Sequence, residues 1–169
     1  PARSGSTRVK EKNIKKLGDK PLLAYTVESA LQSERARVIV STDSPEVAAI
    51  ASQFGAEVPF LRPLELSTDK ATSLSVIIHA LLWLKNQEKW VPDMLMFRPP
   101  TNPFIRPVTI KNMFHKLEET PSANSIVTIT KPKTHPFRLV ELCQDGKIKN
   151  GTIPPKWDGN AGKRIAKII

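Results

Sequence analysis

The spacing of apolar and polar positions divides the chain into alternating helical and extended stretches. Apolar residues at 23, 27, 30 and 31 fall at helical intervals and predict a helix that begins near Pro21, a residue suited to a first helical position. Residues 37–41 form a β-branched run and predict a buried parallel strand. The run stops at Thr42-Asp43-Ser44-Pro45. There Ser44 is placed to cap a helix that starts at Pro45 and ends near Phe54, with Gly55 as its stop. Residues 57–60 predict a second strand, kept short or at an edge by Pro59. A loop over 61–70 leads into a long helix over 71–88. Its predicted apolar face is Leu74, Ile77, Ile78, Leu81 and Leu84. Residues 94–97 predict a central strand, ended by the proline-rich stretch 98–103. A helix over 108–119 and a strand over 125–130 follow. Asp145-Gly146, between residues 138–142 and 147–148, is a hairpin signal. Beyond Ile153 no periodicity is legible, and no internal repeat occurs.

Strands that alternate with helices predict an α/β layered fold with a mostly parallel sheet. In such folds ligands bind beyond the carboxyl ends of the strands. The loops at those ends carry Asp43, Arg62, Asp69 and residues 98–102.

Composition narrows the function. A length of 169 residues with 40% hydrophobic side chains suits one domain with a full core. No apolar run approaches the ~18 residues that a membrane span requires. The single cysteine, Cys143, excludes an internal disulfide and a cysteine-based zinc site, and fits a reducing, cytoplasmic setting. A net charge of +10 calls for an anionic partner, either phosphorylated small molecules or nucleic acid. The basic opening stretch has no interleaved aromatic residue, which argues against stacking on single strands.

That opening stretch, residues 1–13, holds four cations, one glycine and three hydroxyl residues. Gly5 lets the backbone turn close to an anion. Ser6 and Thr7 offer hydroxyl donors, and Arg3, Arg8 and Lys12 offer charge-assisted bonds to phosphate oxygens. Two readings stand side by side: a loop that cradles a nucleoside triphosphate, and a solvated or nucleic-acid-binding basic arm. The glycine-lysine-serine/threonine ending of a P-loop is absent.

Four motifs, taken together, resemble those of the bacterial N-acylneuraminate cytidylyltransferases, also called CMP-sialic acid synthetases. They are Pro1-Ala2-Arg3 with Ser6 and Lys12-Asn13, then Val40-Ser41-Thr42-Asp43. Arg62-Pro63, Glu65-Leu66 and the run from Asp69 to Ser73 make the third, and Pro100-Thr101-Asn102-Pro103 the fourth. The likeness spans Pro1 to about Phe137. It implies a three-layer Rossmann-like nucleotidyltransferase fold with a mostly parallel central sheet. It also implies a reaction in which CTP and a nine-carbon keto-sugar acid yield a CMP-sugar and pyrophosphate. By the same likeness Arg3, Ser6, Lys12 and Asn13 hold the triphosphate, with Arg3 and Lys12 catalytic, and Arg62, Ala71 and Ser73 surround the cytosine. Thr7 and Arg8 of the same loop are further candidates for the phosphates; Thr101, Asn102 and Arg98 are candidates for the sugar, and His135 either lines that pocket or shapes a turn.

The chain departs from the family in places. Thr7-Arg8 stands where lysine-glycine is usual and resembles the related Kdo cytidylyltransferases. Arg98-Pro99 replaces a sugar-facing glutamine, and an arginine there suits a bidentate bond to a carboxylate. No close pair of aspartates follows Phe137 to hold magnesium. Magnesium is expected with CTP, but its protein ligands are not identified; Asp43 and Asp69 are the candidates, and Asp43 suits a structural cap better. Residues 1–169 are expected to form a single domain of this kind, with a first strand before Pro1 and a metal and homodimer region beyond the end. The alternatives are a basic nucleic-acid-binding module and a cytidylyltransferase for Kdo or a similar acid. His79, His115, Trp83 and Trp90 read as structural residues, without zinc spacing among the histidines.

Overall fold

The computed structural model describes residues 1–5, 9, 11–129, 140–142 and 148–150. They fall into two compact units, Pro1–Ile126 and Val127–Ile169.

In the first unit, β1 (Lys16–Leu17) and β2 (Lys20–Pro21) make a two-residue antiparallel ladder. Gly18 turns between them at φ +67, a conformation that costs glycine little. This ladder was not predicted, because two residues carry no periodicity. Helix α1 (Leu22–Leu31) follows, with Pro21 as the residue before it and not its first turn. It buries Leu23, Ala24, Thr26, Val27 and Ser29. Helix α2 (Pro45–Gln53) starts as expected: Ser44 Oγ accepts the Val47 N–H at 3.3 Å, and Pro45 occupies the first turn. Gly55 ends it at φ +91, with Leu31 Cδ1 only 2.9 Å from where a Cβ would stand.

Segments 38–42 and 57–62 run side by side. Isolated parallel bridges join Ile39 to Glu57 and Thr42 to Leu61. Val40 N–H donates to Glu57 O, and Glu57 N–H to Val38 O, both at 2.9 Å. These are the expected first and second strands, paired in the expected direction but too briefly to form a ladder. Alongside them, Ala2 N–H donates to Ser41 O at 2.9 Å. Segments 94–97 and 125–129 have no ladder partner among the described residues. The first of these lines an apolar cavity of about 370 Å³, together with Val40, Val27 and Leu81.

A short 3-10 turn (Leu64–Leu66) interrupts the 61–70 loop. Helix α3 spans Ser73–Trp83, with Thr72 as its cap, and passes into a π turn over Leu84–Glu88. The predicted face is corrected here. Val76 and Leu84 are buried, whereas Leu74 and Ile78 are 65% and 46% exposed. Nearly every position from 76 to 84 is apolar, so periodicity alone does not choose the inward side. Helix α4 (Pro107–Glu118) begins on its proline and buries Ile110 and Phe114.

The core gathers Ala2, Leu23, Val27, Val40, Val47, Ala51 and Ala56, with Phe54 and Val58 packed against it. At one border Arg37 bonds both Glu57 and Glu88 and lies 5.1 Å over the Trp90 ring. Phe60 meets the His79 ring edge-on at 5.0 Å and the Trp83 ring at 5.3 Å, so His79 and Trp83 are packing residues. His115, exposed, pairs with Glu119 at 3.2 Å.

In the second unit β3 (Val140–Leu142) and β4 (Ile148–Asn150) pair antiparallel, Leu142 opposite Ile148. That is the predicted hairpin; its turn, with Cys143, lies outside the described residues. Among the described residues no helix is long and apolar enough to cross a membrane.

Leu23 is 2% exposed at the centre of the core. Leu23→Ala is expected to cost about 3 kcal/mol of stability, read from the shift in a urea unfolding curve.

Candidate functional site

Four hydrogen bonds fix the start of the opening stretch. The Ala2 amide is held by Ser41, as above. Asn13, itself 7% exposed, donates from Nδ2 to the Arg3 carbonyl at 2.9 Å. Asp43 takes the Ser4 amide on Oδ1 at 2.9 Å and the Ser4 hydroxyl on Oδ2 at 2.7 Å. The backbone on either side of Arg3 is therefore anchored, and its guanidinium faces a polar cavity of about 320 Å³.

Side chains from four separate segments line that cavity. Arg3, Lys12 and Asn13 come from the opening stretch, Arg62 and Asp69 from the loop after the second extended segment. Ala71 comes from just before the cap of α3 and Ser73 from its first turn, and Thr101 from the stretch after 94–97. The N-terminus of α3 adds the partial positive charge and free N–H groups of a helix start. Arg3 and Asp69 form an ion pair inside the cavity.

Arg62 is the most buried cation here, at 5% exposed. Burial pushes its guanidinium below the ordinary arginine value, and the Asp43 carboxylate, 3.8 Å from Nη2, opposes that shift. Nε and Nη2 have no hydrogen-bond partner among the described residues. Unspent donors on a buried cation are costly unless a ligand acceptor meets them. Burial would raise Asp43, but the two Ser4 bonds and the Arg62 charge outweigh it and hold the carboxyl below its ordinary value.

The predicted site residues divide as follows. Arg3, Lys12, Asn13, Arg62, Ala71, Ser73 and Thr101 come together around one cavity. Asn102 does not line it. Arg98 turns the other way, into the apolar cavity, where Nη1 donates to Ser29 Oγ at 2.9 Å. Its neighbour Phe97 borders both cavities, and the Ser29 hydroxyl, distant in sequence, is what takes up the guanidinium. Ser6, Thr7, Arg8 and His135 lie outside the described residues. Asp43 is not the helix cap, a role Ser44 fills; it anchors Ser4 instead. Ser4 was not singled out in the sequence, because its partner lies 39 residues away.

Magnesium finds no cage here. Among the described residues no three acidic, histidine or cysteine side chains gather. Both Asp43 oxygens serve Ser4, and Asp69 is engaged with Arg3.

A family model described as cytidylyltransferase matches residues 1–144. The chain belongs to the cytidylyltransferase family. It is 36% identical to a CMP-N,N'-diacetyllegionaminic acid synthase of Legionella pneumophila, over 88% of this chain and 63% of that protein. It is 43% identical to an N-acylneuraminate cytidylyltransferase of Escherichia coli, over 78% of this chain and 31% of that protein. The chain thus spans less than two thirds of either relative. A solved CMP:2-keto-3-deoxy-manno-octonic acid synthetase, complexed with CTP, superposes with a TM-score of 0.59 at 24% identity. That match covers 72% of this chain and 46% of that one, and it shows a shared nucleotidyltransferase fold of mixed helix and sheet. The family is the one that the four sequence motifs implied.

Because Asp43 is held below its ordinary value of 3.8, its contribution to stability is present above that pH and is lost as pH falls through its lowered value. The stability gap between the wild type and Asp43→Asn is expected to close as acid denaturation is followed below pH about 4.

Proposed function

We propose that this chain carries the nucleotide site of an enzyme that activates a nonulosonic, sialic-type acid with CTP, releasing pyrophosphate and a CMP-sugar. The observation that carries the reading is the convergence of Arg3, Lys12, Asn13, Arg62, Ala71 and Ser73, far apart in sequence, on one polar cavity. The names of the two bacterial relatives, a legionaminic acid synthase and an N-acylneuraminate cytidylyltransferase, support the choice of a nine-carbon acid. The CTP in the solved synthetase supports the choice of nucleotide.

In this reading Arg3 and Lys12 meet the phosphates, with Ser6, Thr7 and Arg8 of the same loop. Arg62, with unspent donors, and the first turn of α3 meet the acceptor edge of the cytosine. The sugar's anomeric oxygen attacks the α-phosphorus in line and gives up its proton to solvent water. The bond from α-phosphorus to the bridging oxygen breaks, and pyrophosphate leaves with the electron pair. Cations aimed at that oxygen and at the phosphoryl group stabilise the charge that develops. Thr101 and His135 belong to the acceptor side, whereas Arg98, bonded to Ser29, and Asn102 do not line this cavity. Magnesium arrives with the triphosphate, and the described residues supply it no cage. A mostly parallel central sheet, a cytoplasmic setting and a homodimer are part of the same proposal; the two parallel bridges support the first.

Pyrophosphate release, followed with CTP, magnesium and a panel of nonulosonic acids and Kdo, tests the reading. Release is expected with one nonulosonic acid; release with Kdo alone moves the acceptor to an eight-carbon acid, and no release with any acid sinks the proposal. Arg3→Ala is expected to lower kcat about 10²-fold, as the loss of a transition-state donor does. An Arg3→Ala enzyme of nearly wild-type rate removes Arg3 from the reacting phosphates.

A further inference from the structure

Asp43 links the opening stretch to Arg62 and does not itself line the polar cavity. On one side it fixes Ser4, through the amide at 2.9 Å and the hydroxyl at 2.7 Å. On the other side it lies 3.8 Å from Arg62 Nη2, near enough to balance the charge and too far for a hydrogen bond. The two side chains are 10% and 4% exposed, so their interaction is poorly screened.

The geometry solves a conflict. A buried guanidinium needs a counter-charge, or its burial is strongly unfavourable. A guanidinium that is to recognise a ligand needs free donors, and a carboxylate in full contact would occupy them. Asp43 supplies the charge but is drawn aside by Ser4, which donates a hydrogen bond to each carboxylate oxygen. Arg62 is thus neutralised and left with Nε and Nη2 unpaired. The same carboxylate anchors the residue after Arg3, and Asn13 anchors the Arg3 carbonyl. The direction of Arg3 and the readiness of Arg62 therefore share one support.

We propose that Asp43 is a positioning residue that couples the opening loop to Arg62, so that phosphate contact by Arg3 and base recognition by Arg62 are set together. The proposal rests on reading the cavity as a CTP site. It gives the Thr42-Asp43 motif a role that neither a helix cap nor a metal ligand supplies.

Turnover of wild type, Asp43→Asn and Ser4→Ala, each measured with CTP and with UTP, tests the coupling. Asp43→Asn keeps the shape of the side chain and removes its charge. It is expected to lower kcat about tenfold, through misplacement of Arg3, and to lower the CTP-over-UTP preference in kcat/KM about tenfold. Ser4→Ala is expected to lower kcat and leave most of the preference. A partly unfolded variant loses rate on both nucleotides by one factor, so its preference stays put. An unchanged preference in Asp43→Asn overturns the proposal. The nucleotide-free protein gives a second readout by NMR. The Arg62 Nε–H signal is expected to shift in Ser4→Ala as well as in Asp43→Asn, and an Arg62 signal unmoved in both also overturns it. Failure of the wild type to use CTP sinks the reading of the cavity, and the NMR comparison then decides the coupling by itself.

Discussion

The hydrogen bond from the Ala2 amide to the Ser41 carbonyl sets the frame on which the candidate site is built. Ala2 is 2% exposed, in the same cluster as Leu23, Val27 and Val40, so the core itself holds the beginning of the basic stretch. Asn13 and Asp43 then take the next carbonyl and the next amide. A glycine-bearing loop without such ties would spread its cations over many directions, each ordered residue costing about 1–2 kcal/mol when a ligand binds. Here that ordering is already supplied around Arg3 by folding. This is the physical sense in which a loop becomes a site: binding then spends little on arranging donors.

Much of this was legible locally. The proline at position 45, the serine before it and the glycine at 55 mark both ends of α2 through short-range chemistry alone. Helix α4 was read from 108, one residue inside its true start at Pro107. The cavity residues were found through motif likeness, because Arg3, Arg62 and Ser73 meet only in three dimensions. Other features were not readable. A helix as uniformly apolar as α3 gives no contrast between faces, so its buried side depends on what packs there. Pairing of segment 94–97 is a long-range matter that a run of apolar residues does not specify. The direction of Arg98 depended on a hydroxyl partner, Ser29, that lies far away in the sequence. The link between Ser4 and Asp43 joins two polar residues whose local surroundings suggest only turns.

The site also departs from the economy of the core. Arg62 is nearly as buried as the aliphatic residues, yet two of its nitrogens make no bond among the described residues. At the surface, by contrast, Arg37 is matched fully: it meets Glu57 through Nε and Nη2 and Glu88 through Nη1. A stable fold gains nothing from the arrangement at Arg62, since an apolar residue of similar volume commonly serves stability as well or better. The cost is understandable where binding returns it. Such exceptions to local consistency concentrate at functional positions.

The ion pair between Arg3 and Asp69 carries a consequence for selectivity among anions. An incoming anion does not meet a bare cation; it exchanges with a carboxylate that is already there. A singly charged ion gains little from that exchange, because it replaces one monovalent oxygen group by another. An extended polyanion that reaches Lys12 as well gains a contact that Asp69 does not make. The pair is also weakened by the same salt that screens the newcomer. In the reading of the cavity as a CTP site, the resident carboxylate is the group that the triphosphate displaces from Arg3.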